Sequence, residues 1–171
     1  MTDLYKDALR AAAYIQADAN AFSSPPLRGQ IPKTTKVLNP SWFGQGHQHL
    51  LPVVEEINGT YESGWYDASA AMLRRLTETL IIEAFEAKQI SEKITKKGEF
   101  RPLGELIGVA SKETSLKLSR HSKRTLRDIA ALGNTAAHDR SFNLPRDLLE
   151  ERLLPIQLLI LHLLDISITQ Q

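Results

Sequence analysis

The chain has 171 residues, 42% hydrophobic and 24% charged, which suits one folded domain with its own core and at most a terminal arm. It has no cysteine, which excludes disulfide frameworks and zinc–thiolate sites and fits a reducing cytoplasm. The net charge of +1 hides a segregation: residues 1–87 carry seven Lys/Arg against ten Asp/Glu, residues 88–127 eleven against four, and residues 128–171 three against six. A basic middle third implies one positive face; the plainer alternative is a solvated lysine-rich surface.

The opening MTDLYKDALR mixes both charge signs and has no apolar run, so no secretory signal is expected. Apolar spacing predicts a helix over Asp3 to Ala19, weakly apolar and suited to docking. Residues 20–46 hold four prolines and three glycines, which stops regular structure; Trp42 and Phe43 are expected to pin this connection to the surface. A short helix follows over His49 to Ile57, with Asn58-Gly59 as its stop. Residues 1–60 thus form an N-terminal helix, a Pro/Gly-rich loop and a short helix, and residues 61–171 a helical bundle.

Tyr66 to Ala87 is the clearest helix, with Ser69, Leu73, Leu76, Leu80, Ala84 and Ala87 recurring every three or four residues on one face. Lys96-Lys97-Gly98 breaks the chain, Leu103, Leu106, Ile107 and Ala110 imply a short helix, and a long one runs from Leu118 to His138. The last helical region opens at Pro145, with Pro155 expected to kink or split it. Its stretch Leu153 to Ile168 is interrupted by Pro155, Gln157, His162 and Asp165, and falls short of the roughly 20 apolar residues of a membrane span. It reads as a core helix. No alternating strand pattern stands out, so the fold expected is all-α, an antiparallel bundle of four to five helices.

Along Leu118 to His138, Leu126, Ile129, Ala130, Gly133 and Ala137 share about a third of the circumference, and their small centre invites close approach by a neighbouring helix. The adjoining face carries Arg120, Arg124, Arg127, Ala131, Asn134 and His138, a polar stripe about 27 Å long at 1.5 Å per residue. A row of guanidiniums ending in an imidazole that can change charge near neutral pH suits binding, and acting on, a phosphodiester. The alternative is a capping His138 beside solvated arginines. His47-Gln48-His49, with Glu55 and Glu56 nearby, has metal-ligand residue types, but a turn entering a helix explains it equally well. His162, among leucines, reads as a hydrogen-bonded core histidine, and no metal or cofactor site is expected.

The segment LRDIAALGNTAAHDR, Leu126 to Arg140, resembles the signature of an uncharacterised bacterial and archaeal helical family of the HEPN superfamily (higher eukaryotes and prokaryotes nucleotide-binding). The likeness extends to DASAAMLRRLTETLIIEA and RPLGELIGVA and covers roughly residues 61 to 164. It implies a four- or five-helix bundle, usually a symmetric dimer, and many members are metal-independent endoribonucleases of toxin, CRISPR and anti-phage systems. In those, an arginine holds the scissile phosphate and a histidine assists transfer of the 2′-hydroxyl proton, two such motifs facing each other across a cleft. His138 takes the histidine place and Asn134 the polar place, while Gly133 stands where the arginine belongs, which argues against strong catalysis. Replacement arginines are Arg127, eleven residues before His138 and so about 16 Å away along the helix; Arg140; and Arg74 or Arg75, with Glu78 placed to hold either.

The function expected is therefore a HEPN-like module of a bacterial defence or toxin-type system. It binds RNA or another phosphate-bearing ligand through Arg120, Arg124, Arg127 and Arg140, with His138, Asn134 and Arg127 as its catalytic candidates. Alternatives are an active ribonuclease and a purely structural dimerisation scaffold. A second copy, an RNA or nucleotide ligand and a protein of the same defence system are the expected partners, in the cytoplasm and away from membranes.

Overall fold

The computed structural model of the chain describes residues 34–44, 46–139, 141 and 143–168. The helix expected over Asp3 to Ala19, the first part of the loop after it, and Arg140 lie outside these residues. The described part is an all-α bundle of five helices: α1 (Leu51–Glu62), α2 (Tyr66–Ala87), α3 (Leu103–Ala110), α4 (Arg120–His138) and α5 (Arg146–Ser167). Helix α2 is the hub and packs against α1, α4 and α5. No helix among the described residues is long and apolar enough to cross a membrane.

Chain direction follows from contacts. His49, ahead of α1, reaches Glu83 near the end of α2, while Arg74 and Asp67 in the first half of α2 reach Asn134 and Leu144 at and beyond the end of α4. Both neighbours therefore run against α2. Helix α5 starts beside Tyr61 through Glu150 and ends beside His47 through Ser167, so it runs with α2 and against α4.

The predicted faces form the core. Ser69, Leu73, Leu76, Leu80 and Ala84 of α2 are buried, and so are Leu103, Leu106, Ile107 and Ala110 of α3. Each fully buried leucine or isoleucine contributes roughly 1.5–3 kcal/mol, so these stripes dominate stability. Phe43 is buried and Trp42 packs on the same cluster, which pins the segment before α1 as expected.

Four expectations are corrected. Asn58-Gly59 does not stop α1, which continues to Glu62. The buried Asn58 amide instead accepts from the N–H groups of Val37 and Leu38 at 3.1 and 2.9 Å and donates to the Leu38 carbonyl at 2.7 Å. A small hairpin, β1 (Thr95–Lys96) with β2 (Glu99–Phe100), forms where no strand was expected, because two-residue strands carry no alternation to read. Its turn residues Lys97 and Gly98 take φ of 55° and 84°, the left-handed pair that matches strand twist. Of the two outcomes expected at Pro155, kink or split, the split does not occur, since α5 is one element through it; the carbonyl that loses its partner belongs to the exposed Glu151, where water can take the bond. Finally, Leu154, Leu158, Leu161 and Ile168 are exposed, so α5 is a core helix on one side only.

Candidate nucleic-acid interface on α4

Helix α4 begins at Ser119, whose hydroxyl accepts from the Ser122 N–H at 3.0 Å, a standard N-cap. It ends at His138, after which the Asp139 N–H closes on the Thr135 carbonyl at 2.9 Å. Thr125, Leu126, Ile129 and Gly133 are buried, Ala130 is half-buried, and Ala137 is exposed, contrary to its predicted place in the buried face. The residue lies in the last turn of α4.

Arg120, Arg124, Arg127, Ala131, Asn134 and His138 are all exposed, so the predicted stripe is a continuous surface row. Arg124 shares its charge with Asp128 at 3.9 Å; both side chains are well solvated, so this contact is weak. Arg120 and Arg127 make no ion pair among the described residues.

At position 133, where the resemblance places an arginine, the space beside the glycine is filled from α2. Arg74 of α2 lies over Gly133 so closely that a Cβ added there would sit 2.6 Å from Arg74 Cβ and 2.8 Å from its Cδ. The stem thus occupies the volume a side chain at 133 would need. Arg74 Nε donates to Asn134 Oδ1 at 3.0 Å, and its Nη1 lies 3.6 Å from Glu78 Oε2. An arginine donor on Oδ1 leaves the Asn134 NH2 group as a donor for something else. Asn134 and His138 are one turn apart, about 6 Å along the axis, and share a broad shallow depression with Thr135 and Asp139.

Of the other substitutes, Arg75 is exposed and makes no side-chain bond among the described residues. It sits about 100° round α2 from Arg74. Arg127 is on the same row as His138 but three turns away. Sequence spacing raised Arg74 and Glu78 only as two candidates among several; the close seat of Arg74 on Gly133 is the signal that singles them out.

The His47 and His49 pair converges on Glu83, not on Glu55 or Glu56. His49 Nε2 is 2.7 Å from Glu83 Oε1, and His47 Nε2 is 3.8 Å from its Oε2 and 2.8 Å from Ser167 Oγ. Among the described residues no group of three or more His, Asp or Glu has a metal-binding arrangement. The cluster joins the chain before α1 to α2 and to the end of α5. His162 Nε2 donates to the Leu116 carbonyl at 3.0 Å, the hydrogen-bonded histidine that was expected.

Set against protein-family models, curated proteins and solved structures, the chain matches none.

Proposed function

We propose that the chain is a HEPN-like module that holds RNA by its phosphate backbone along α4, from Arg120 to His138, in a bacterial defence or toxin-type system. The observation that carries this reading is the exchange at Gly133: α4 gives up a side chain there, and Arg74 fills the space with its Nε on Asn134. Guanidinium, amide and imidazole then stand on one exposed surface, continuous with Arg127, Arg124 and Arg120. No aromatic side chain interrupts the row, so recognition is through phosphates and tolerant of base sequence.

The same exchange favours a second reading, metal-independent cleavage. Arg74 grips the phosphate and His138 takes the 2′-hydroxyl proton; the 2′-oxygen attacks phosphorus, the P–O5′ bond breaks, the 5′-oxygen takes a proton from water and leaves as a 5′-hydroxyl, His138 returns its proton to the solvent, and a 2′,3′-cyclic phosphate remains. The chain acts as a homodimer in either case, an assembly supported by the exposed apolar row Leu154, Leu158 and Leu161 on α5, with the exposed Ile168 just past its end.

Fluorescence anisotropy with a labelled single-stranded RNA tests the binding reading. Affinity falls steeply with salt, and Arg120→Ala/Arg124→Ala/Arg127→Ala reduces the log–log slope by about 2, three contacts at roughly 0.7 each. Absent binding, or a slope indifferent to the triple change, returns the scaffold instead. Incubation with EDTA then separates binder from enzyme: cleavage lost in both His138→Ala and Arg74→Ala, with cyclic ends, establishes the ribonuclease, and intact RNA excludes it.

A further inference from the structure

We infer that a second cavity, at the opposite end of the bundle, binds a small zwitterion with an apolar body, in the class of free apolar α-amino acids. It opens where α2 ends, between the turn at 115–117 and the last turns of α5, with a volume of about 450 Å3, within the usual range of small-molecule sites. Lys88, Gln89, Lys117, His162 and Asp165 line it, over an apolar wall that includes Leu116. Along α2 it lies about 20 Å from Arg74, so it is distinct from the Asn134–His138 end of the surface row.

Two features set this cavity apart. First, its charges are uncommitted: Lys88, Lys117 and Asp165 make no ion pair or side-chain hydrogen bond among the described residues, although all three line one space. Second, two of its walls keep a long side chain where glycine fits more easily. Gln89 has φ of 58° and Lys117 φ of 48°, both left-handed. Gln89 closes α2, its N–H on the Glu86 carbonyl at 2.8 Å and the next N–H on Phe85 at 3.0 Å, which is the place glycine usually takes. Lys97, left-handed too, belongs to the hairpin turn and lines no described cavity. His162 fixes the wall: its bond to the Leu116 carbonyl ties the turn bearing Lys117 to α5.

The charge pattern selects the ligand. Two ammonium groups suit a carboxylate. The Asp165 carboxylate, together with the carbonyl ends of α2 and α5, suits an ammonium group. Leu116, Ile166 and Ile168 suit an aliphatic side chain. A simple anion leaves Asp165 opposed, and a simple cation leaves the lysines opposed.

Free L-leucine is the probe, titrated into the 15N-labelled full chain and followed by amide chemical shifts. Saturable shifts are expected at 87–89, 115–117 and 162–168. Leucinamide and N-acetyl-L-leucine, each lacking one charge, bind at least about 5-fold more weakly, the scale of one partly solvated ion pair. Lys88→Gln/Lys117→Gln weakens leucine by a similar factor and leaves leucinamide bound no more weakly; Asp165→Asn weakens leucine and leaves N-acetyl-leucine bound no more weakly. All three positions are exposed, so circular dichroism of these variants matches the parent. The site is rejected by absence of saturable shifts up to about 20 mM leucine, by equal binding of the three probes, or by variants that bind leucine as the parent does.

Discussion

Gly133 is imposed by a neighbour and not by its own backbone, because it sits inside α4 with Arg74 Cβ and Cδ where its side chain would be. Gly133→Ala brings two opposed effects. Helix propensity gains about 1 kcal/mol, but overpacking costs roughly 1–3 kcal/mol. The nearest atom is a Cβ, which moves only if α2 moves, so overpacking wins: urea unfolding is expected to show a net loss of about 1–2 kcal/mol. A variant as stable as the parent would show that Arg74 is not seated on Gly133. His47 makes a second residue-scale case. The Ser167 hydroxyl donates to the Leu163 carbonyl, so it accepts from His47 Nε2–H, which places the proton on that nitrogen. Burial pushes this imidazole below its ordinary 6.5, against the pull of Glu83 and with a small push from His49. The unfolded chain therefore takes up a proton first, and the stability from a neutral His47 is complete above 6.5 and lost as pH falls from there toward the folded value. Thermal midpoints are expected to hold above about pH 7 and decline below 6.5, a decline that His47→Gln removes. Carboxylates do not confuse this window. Glu113, held by Lys93 first and then by Ser115, is pulled down from 4.5 to about 2, so its contribution is complete above 4.5 and fades from there toward 2, below the His47 window.

At the scale of elements, periodicity was readable and long-range contacts were not. Helix α2 has the bounds its three-and-four spacing predicts, and α3 buries the four apolar residues that announced it. The row on α4 was legible for the same reason: one straight helix determines which residues share a face. Asn58-Gly59 misled because it is a local stop signal whose actual partners, Val37 and Leu38, lie 21 and 20 residues away. The seat of Arg74 on Asn134 spans 60 residues, and the cavity beside His162 draws its walls from three separate segments, so neither is a pattern in any single stretch. Asn58 carries the clearest test at this scale. Asn58→Leu leaves two N–H groups and one carbonyl buried without partners, at about 1–3 kcal/mol each if nothing relaxes. A loss of about 3–5 kcal/mol in urea unfolding is expected, more than an exposed asparagine could account for. A loss below about 1 kcal/mol would mean that the 37–38 segment does not depend on α1.

For the whole molecule, the surface divides between a basic row on α4 and an apolar row on α5. Leu154, Leu158 and Leu161 are 64%, 55% and 38% exposed, spaced four and three along one helix, and Ile168, just past its end, is 53% exposed. Single exposed leucines are ordinary on any protein, but a line of three on one helix face is a contiguous patch that water penalises. A second copy offers the same row, and a two-fold axis lets each α5 cover the other. Light scattering is therefore expected to give a dimer at high micromolar concentration. Leu154→Glu/Leu158→Glu places charge in that contact and yields a monomer with unchanged helical circular dichroism, since neither residue belongs to the core. A parent chain that is monomeric at those concentrations would remove the dimer from the proposal. A double variant that stays dimeric would move the contact away from α5 and leave the apolar row without its partner.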